Sequence, residues 1–381
     1  MRKFLLSLLV SSMFCLITAS LTTASQTTAA EGAKAPLRVV IIGMVHGHVE
    51  GFLSSSLHRP DIQIVGISEA DQSVAQRYAA QFKLEKSLLF TNSEQMLRQT
   101  HPQAALVYTN TLDHRKAVEL CARYGVHVMM EKPLAVSLDD ARAIEKAAQQ
   151  GKIQVSVNYE TTWYRSNRAA YDLFHDKGTG QQGIGPIRKI VVHDGHEGPK
   201  EINVAPEFLA WLTDPKLNGG GALFDFGCYG ADLATWLMDG ARPTSVTAVT
   251  QHIKPDIYPH VDDEATIVIT YPNAQVIIQA SWNWPFGRKD MEVYGQTGYA
   301  ITVERDGIRV RRHGEQEQQQ PAKPVPSPEE DSLTYLRAVV LEGREPAGLS
   351  SLKTNLIVTE ILDAARQSAA SGKTIHLGAK N

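Results

Sequence analysis

The segment Leu37-Arg38-Val39-Val40-Ile41-Ile42-Gly43 is a nearly continuous run of branched apolar residues that ends at a glycine. A run of this kind is typical of a parallel strand that is buried on both faces of its sheet. A helix is predicted directly after it, from His48 to Leu57. A strand, a glycine turn and a helix in this order predict the first unit of a parallel α/β sheet.

The same alternation continues downstream as far as about residue 155. Amphipathic helices separate the strands, and Ser137 is expected to cap a helix that stops at Gly151. We therefore predict an N-terminal Rossmann domain, a doubly wound parallel sheet over residues 37–155. Its further strands are predicted at Ile62 to Ile67, Ala104 to Tyr108 and Val126 to Met130.

The pattern changes after about Ser156, where several segments alternate apolar and polar residues with few helices between them. This favours a C-terminal α+β domain over residues 156–377, with a mostly antiparallel open sheet, and an overall α/β fold class. Helices are expected near 205–213, 221–238, 330–342 and 350–371, and a solvated loop from Gln316 to Glu330. The predicted strands are Ile187 to His193, Ser245 to Gln251, Ala265 to Tyr271, Gln275 to Ser281, Lys289 to Tyr294 and Ala300 to Val303.

Composition narrows the possible classes of function. The 381 residues are enough for two domains with their own cores, and 43% hydrophobic with 21% charged residues is ordinary for a globular enzyme. The formal charge of −3, with no basic run, argues against a nucleic-acid partner. Mild acidity discourages anionic partners in general but still allows an anionic substrate in a locally basic cleft.

The N-terminus is typical of a secretory signal peptide. Arg2 and Lys3 precede an apolar, serine-rich stretch from Phe4 to Leu21, and small residues follow. We predict cleavage near residue 25, as late as residue 30, which places the mature protein in the periplasm or outside the cell. A membrane anchor is the alternative, although the stretch is short for a spanning helix. No membrane contact is expected after cleavage.

Three cysteines are present, and Cys15 is expected to leave with the signal peptide. Cys121 and Cys228 remain on segments assigned to different domains. Two buried free thiols are favoured over a disulfide, although export allows either.

A nucleotide site is indicated where the first strand ends, because a helix N-terminus there can hold a pyrophosphate. The usual G-x-G-x-x-G pattern is incomplete, since Val45 and His48 occupy its second and third glycine positions. Val45 is therefore expected to shift the phosphate path. Glu69 follows the second strand, where an acid binds the adenine ribose and favours NAD over NADP. The alternative to a nucleotide site is that Gly43 belongs to an ordinary strand-to-helix turn and that Glu69 is a solvated acid at the end of a strand.

Three motifs in order carry a more specific resemblance. Glu131-Lys132-Pro133-Leu134 follows a strand, Thr109-Asn110-Thr111-Leu112-Asp113-His114 lies upstream, and Gly219 to Tyr229 reads GGGALFDFGCY. Together they resemble the Gfo/Idh/MocA oxidoreductases over about residues 37–377. The resemblance implies NAD as cofactor and assembly into a homodimer or homotetramer. The cofactor contacts expected from the turn and from this resemblance are Gly43, Val45, His46, Glu69, Thr109, His114, Glu131 and Lys132.

The resemblance also implies a catalytic set made of Lys132, Asp225 and Tyr229. Lys132 lies at the carboxyl end of a parallel strand, where α/β sheets bind ligands, and partial desolvation together with a nearby nicotinamide cation is expected to lower its pKa. Asp225 and Tyr229 are four residues apart and share one face of a predicted continuous helix. Asp225 is expected to orient the substrate hydroxyl or Lys132, and Tyr229 to act as an acid or base beside the lysine.

The loop His193-Asp194-Gly195-His196-Glu197 supplies further candidates. We predict that His193 and His196, with Asp225 and Tyr229, contact substrate hydroxyls. The alternating side chains also resemble a metal-ligand set, but we predict no metal. Trp163, Tyr164, Trp282 and Trp284 are candidates for a sugar-stacking wall, although aromatic residues in such positions are more often part of the core.

The sequence thus predicts an exported oxidoreductase that transfers hydride between NAD and a hydroxyl of a sugar, cyclitol or glycoside. Because free NAD is scarce outside the cytoplasm, we expect a tightly held cofactor. A redox-assisted glycoside hydrolase of the same fold is the first alternative. A sugar-binding protein without catalysis is the second, since Val45 and His48 weaken the nucleotide motif.

Overall fold

The structure is a computed structural model that describes residues 35–175 and 183–378. The predicted signal peptide lies outside the described residues. None of the helices within those two ranges combines the length and apolar character needed to cross a bilayer.

The first half of the chain alternates strands and helices, as predicted. The strands form one parallel sheet in the order β3-β2-β1-β4-β5-β6, which is the strand order of a dinucleotide-binding Rossmann sheet. Its elements are β1 Leu37–Ile42, α1 His48–Ser56, β2 Ile62–Ser68, α2 Gln72–Phe82, β3 Leu89–Phe90, α3 Ser93–Thr100, β4 Ala104–Val107, α4 His114–Arg123, β5 His127–Glu131, α5 Leu138–Gly151 and β6 Val155–Asn158.

The second half builds a sheet of nine strands in the order β14-β13-β12-β11-β7-β10-β9-β8-β15. All its neighbours pair antiparallel except β7 and β10. Its strands are β7 Ile187–Gly195, β8 Ser245–Gln251, β9 Glu264–Thr270, β10 Gln275–Ser281, β11 Arg288–Gly295, β12 Gly298–Val303, β13 Gly307–Arg312, β14 Gln318–Pro321 and β15 Ile375–His376.

Helices of the second half cover this sheet and reach back to the first. Val339 of the penultimate helix packs in one apolar cluster with Leu53 of α1, on one face of the parallel sheet. A second cluster joins the other face to the nine-stranded sheet. The helices are α6 Arg165–His175, α7 Pro206–Leu212, α8 Pro215–Asn218, α9 Ala222–Asp225, α10 Gly227–Leu237, α11 Ser332–Leu341 and α12 Leu352–Ser371.

Two sequence predictions of local structure are wrong. The solvated loop from Gln316 to Glu330 contains β14, an exposed edge strand that pairs with β13. The continuous helix over 221–238 is broken at Phe226 into α9 and α10. Asp262 starts the short α9 by accepting the main-chain N–H groups of Gly221 and Leu223.

The free-thiol prediction is confirmed for the cysteines that the structure describes, because Cys121 and Cys228 are both buried and unpaired. Cys15 lies outside the described residues.

Gly43 ends β1 in a conformation that suits glycine, with φ at +81°. A Cβ atom there would also lie 2.6 Å from Cγ2 of Thr109. We expect Gly43→Ala to cost about 1–2 kcal/mol for the left-handed backbone and about 1–3 kcal/mol more for the forced contact. Urea unfolding monitored by circular dichroism measures the loss.

Gly125→Ala is the matched control, since Gly125 has φ at +66° but open space around its Cβ position. If both alanine variants lose the same stability, the contact with Thr109 contributes nothing.

Candidate active site

The turn after β5 places Lys132 at the carboxyl end of the parallel sheet. His114, the first residue of α4, fixes this turn, because its Nδ1 lies 3.0 Å from the main-chain oxygen of Pro133. Burial lowers the pKa of His114 to about 4, so the ring is neutral and donates its Nδ1 hydrogen. His114 is fully enclosed and holds the lysine turn in place. Its predicted contact with a cofactor stays a prediction.

Lys132 forms a buried ion pair with Asp225 across the two halves of the chain. Its Nζ lies 2.5 Å from Asp225 Oδ1 and 3.1 Å from the Asp225 main-chain oxygen. Both residues are only 5% exposed. Burial alone would lower the pKa of Lys132, but the Asp225 carboxylate outweighs it and raises that pKa above its usual value. The expected lowered pKa is therefore wrong, and Lys132 is an ammonium ion at neutral pH.

Asp225 is held in its ionised form by two donors. Trp282, fully buried, donates its indole N–H to Asp225 Oδ2 at 3.0 Å, while Lys132 occupies Oδ1. Burial opposes ionisation, but Lys132 lowers the pKa of Asp225 below its usual value. Trp282 thus orients the carboxylate. Because it is fully buried, Trp282 cannot be part of the sugar-stacking wall for which it was a candidate.

Tyr229 reaches the same ion pair from α10. The Lys132 ammonium lies 5.0 Å from the centre of the Tyr229 ring, so the cation faces the ring and not the hydroxyl. Burial raises the pKa of Tyr229 well above its usual value. Tyr229 therefore stays a neutral phenol, so in this geometry it is not in the form of the base that the sequence suggested beside the lysine.

A second ion pair, Lys289 with Glu160, completes the group, and sequence reasoning missed both residues. Lys289 Nζ lies 2.6 Å from Glu160 Oε2 and 4.6 Å from the centre of the Tyr229 ring. Burial opposes the charge on Glu160, but Lys289 lowers its pKa to about 2. The two residues are 129 positions apart, so no local sequence pattern indicates that they pair.

The two predicted substrate histidines take different positions, because His193 lies on β7 and His196 is the first residue after that strand. His193 pairs with Asp290 of β11, its Nδ1 lying 3.2 Å from Oδ1 of that residue. Neighbouring residues of a strand point to opposite faces, so the Asp194 side chain, rather than that of His193, faces Lys289 and the ion pairs. The structure brings His196 to this group, where its ring lies edge-on to Phe226 at 4.9 Å. It does not bring His193 there.

The predicted nucleotide turn lies between β1 and α1. Glu69 accepts the main-chain N–H of Met44 at 2.6 Å and that of Asp71 at 2.9 Å. Each carboxylate oxygen keeps a lone pair for a further donor such as a ribose hydroxyl. Thr109, partly buried, lies against Gly43 on the other side of the turn.

Two histidines of the turn meet Glu131. His48 Nδ1 lies 2.9 Å from Glu131 Oε2, and the ligand atoms of His46, His48 and Glu131 all lie within 4.8 Å of one another. Two imidazoles and a carboxylate at this spacing resemble a divalent-cation site, but the hydrogen bond that His46 Nδ1 accepts leaves that ring no free lone pair for a metal. His46 Nδ1 accepts the His48 N–H, so its buried Nε2 carries the hydrogen and has no partner within residues 35–175 and 183–378.

Helix α7 covers one side of the turn. Trp211 donates its indole N–H to the Val45 main-chain oxygen at 3.0 Å, and Phe208 lies against the His46 ring at 4.9 Å. A Cβ atom on Gly47 would lie 2.7 Å from Phe208. The Val45 peptide is thereby fixed, and only the remaining side of the turn is left for a phosphate path.

These groups fit a bound nicotinamide dinucleotide. The positive φ of Gly43, the start of α1 and the unpartnered N–H of His46 suit phosphate oxygens, and Glu69 suits a ribose diol. Lys132 and Glu131 lie at the carboxyl end of β5, where the nicotinamide end of the cofactor binds in such sheets.

Comparison with known proteins agrees with this arrangement. Residues 37–159 match the GFO/IDH/MocA oxidoreductase family, described as having an NAD-binding Rossmann fold, and residues 144–301 match the GFO/IDH/MocA C-terminal domain.

The chain is also similar to individual proteins that are named as a dehydrogenase, a reductase and an oxidoreductase. The chain is 23% identical over 234 residues to trans-1,2-dihydrobenzene-1,2-diol dehydrogenase of Macaca fuscata fuscata, covering 61% of this chain and 64% of that enzyme. It is 24% identical over 314 residues to 1,5-anhydro-D-fructose reductase of Ensifer adhaerens, covering 78% and 88%. The aldose–aldose oxidoreductase of Caulobacter crescentus, solved with glycerol, shares the fold at a TM-score of 0.75 and 21% identity, covering 90% and 100%.

The neutral state of buried His114 predicts a pH dependence of stability. Its pKa is about 4 when folded and about 6.5 when unfolded, so the unfolded chain binds more protons between these values. The free energy of unfolding should therefore fall by about 2–3 kcal/mol from pH 7 to pH 4 through this group. His114→Gln, which cannot titrate, should show a shallower loss.

Urea unfolding at pH 7, 6, 5 and 4 measures both slopes. Parallel slopes in the wild type and in His114→Gln would contradict the assignment.

Proposed function

This chain belongs to the GFO/IDH/MocA oxidoreductase family, and on that premise we propose that it is an exported NAD-dependent oxidoreductase acting on a hydroxyl group of a sugar, cyclitol or glycoside. The observation that carries the proposal is the pair of Lys132 and Asp225 at the carboxyl end of the Rossmann sheet. The buried ammonium and carboxylate groups lie in contact there. Alcohol oxidation needs one group that stabilises negative charge on the oxygen and one that accepts its proton, and these two side chains can supply both.

Bound NAD would supply the hydride acceptor, held by the glycine turn, Glu69, His46, Glu131 and Lys132. Lys132, as an ammonium ion, donates a hydrogen bond to the substrate oxygen. This contact lowers the pKa of the substrate hydroxyl and stabilises the negative charge that develops on the oxygen.

Asp225 accepts the substrate proton. Of the three predicted catalytic residues, only this one is in a form that can do so, because Lys132 is protonated and Tyr229 is a neutral phenol. Trp282 keeps the carboxylate in place while the charge on it changes. Tyr229 packs beneath the Lys132 and Lys289 ammonium groups and fixes their positions.

The enzyme is proposed to keep its cofactor through the catalytic cycle. Export through the general secretory route delivers an unfolded chain to a compartment poor in free NAD, so a loosely bound cofactor would be lost. The contact of His48 Nδ1 with Glu131 Oε2 supports this, since it ties α1 to the end of β5 beside the cofactor groups. A second substrate would then return the cofactor to its starting state.

The first test is native mass spectrometry of protein secreted by a bacterial host from the full-length gene. We expect a chain that begins between residues 26 and 31, carries one NAD per chain and assembles as a dimer or tetramer. An intact Met1 would contradict export. Protein that neither retains nor binds NAD would contradict both redox chemistries and favour a sugar-binding protein.

Lys132→Met tests the chemistry. Loss of the ammonium should reduce the single-turnover rate of NADH formation by about 100-fold or more at saturating NAD. Absorbance at 340 nm with a panel of aldoses and cyclitols measures the rate. Lys189→Met, at a lysine that donates to Gln275 far along β7, is the matched control.

Circular dichroism at the assay temperature establishes that Lys132→Met is folded. An unchanged rate in the folded variant removes Lys132 from the reaction. Release of free sugar from an aryl glycoside, with no net NADH, would assign the wild type to the redox-assisted hydrolases.

A further inference from the structure

Asp194 is a buried acid that the proposed reaction does not use. It is 1% exposed, and neither carboxyl oxygen has a hydrogen-bond partner in the part of the chain that the structure describes. An unsatisfied buried polar group costs about 1–3 kcal/mol, so such groups need a reason to persist. A ligand that bonds to the group is one such reason.

The alternation of side chains along β7 places Asp194 on the face of the strand that is directed to the candidate site. Asp194 lies directly across the ladder from Lys289, whose ammonium reaches Glu160 and the Tyr229 ring. The charges that act on Asp194 come from these ion pairs, namely Lys289 of β11, Glu160 after β6, Lys132 after β5 and Asp225 of α9. Asp194 therefore faces the proposed catalytic group from the side opposite the Rossmann sheet.

Burial favours the neutral form of the Asp194 carboxyl group. Burial raises its pKa well above the usual value, and the opposing effect of Lys289 is smaller because Glu160 already pairs with that lysine. A neutral carboxyl group has both an O–H donor and a carbonyl acceptor. This combination matches an alcohol, which also donates and accepts.

We propose that Asp194 is a substrate-binding residue that holds a second hydroxyl group of the polyol, next to the hydroxyl that Lys132 and Asp225 oxidise. This inference rests on the proposed function and assigns the side of the site that faces away from the cofactor. The hydroxyl gives a hydrogen to the carbonyl oxygen of Asp194 and accepts its O–H, so neither group remains unpaired.

The charges around Asp194 also define the class of substrate. Lys132 is neutralised by Asp225 and Lys289 by Glu160, so both ammonium groups of the site already have a carboxylate. A sugar acid or sugar phosphate would bring a charge that this arrangement does not balance. The site thus favours an uncharged polyol with at least two hydroxyl groups.

Two substitutions at one position separate hydrogen bonding from packing. Asp194→Asn keeps a neutral donor and acceptor of the same shape, whereas Asp194→Leu keeps bulk and removes both. We expect Leu to raise KM for the best polyol of the panel by about 10-fold or more, with kcat changed less than threefold, and Asn to stay within about threefold of wild type. Asp290→Leu, on the opposite face of the neighbouring strand, should leave KM unchanged.

Stability provides an independent readout. Because Asp194→Leu removes an unpaired buried polar group, its unfolding temperature should equal or exceed that of the wild type. A lower unfolding temperature together with an unchanged KM would show a structural role and overturn the proposal. Loss of activity in Asp194→Asn would also overturn the proposal. The amide, like the neutral acid, offers a donor and a carbonyl acceptor, so it should bind the hydroxyl equally well.

The two levels of the proposal fail differently. A wild type that turns over no polyol with NAD contradicts the proposed function. Calorimetric titration of myo-inositol and D-glucose into wild type and Asp194→Leu still tests the inference in that case. Equal dissociation constants for the two proteins contradict it, whereas weaker binding to Asp194→Leu supports a polyol site at this residue.

Discussion

The buried ion pair between Lys132 and Asp225 is the interaction on which the candidate site depends. Taking both charges out of water is costly, and only close contact with added hydrogen bonds offsets the desolvation. Lys132 therefore bonds to the carboxylate and to the main-chain oxygen of Asp225, and Trp282 fills the remaining carboxylate oxygen. The pair fixes the protonation state of both partners, and with it the direction in which a proton can move.

The rest of the fold serves to bring these two residues together. Lys132 lies where the parallel sheet ends, because every strand of a Rossmann sheet points its carboxyl end to the same edge. Asp225 comes from a short helix that Asp262 starts and that stops before Phe226. Enclosed His114 and Trp282 support the pair from either side, one through the lysine turn and the other through the carboxylate.

The sequence predicted the elements whose pattern is local. Buried strands such as Leu37–Ile42 and the helix capped by Ser137 follow from apolar periodicity and capping, and the resemblance to the family pointed to Lys132, Asp225 and Tyr229. The edge strand Gln318–Pro321 was missed because its four exposed residues have no apolar face, so only pairing with β13 identifies it.

Protonation states, and the face of a strand that is directed to the site, were harder to predict because both depend on contacts between residues that are distant in the sequence. Desolvation and a nearby nicotinamide cation predicted a lowered pKa for Lys132, and the position of Asp225 is the main cause that reverses that direction. The sequence drew attention to His193, yet the register of β7 against β11 turns Asp194 toward the site. Alternation along a strand shows that His193 and Asp194 lie on opposite faces of β7. It does not show which face is directed to the site unless the orientation of one neighbouring residue is known.

A double-mutant cycle on the free energy of unfolding tests the central claim most directly. Lys132→Met and Asp225→Leu should each cost about 3–5 kcal/mol, because each leaves a buried charge unpaired. The combined variant should cost at least about 1 kcal/mol less than the sum of the two. Costs that add to within about 0.5 kcal/mol would show that the two side chains do not interact, and the account of the site would be wrong.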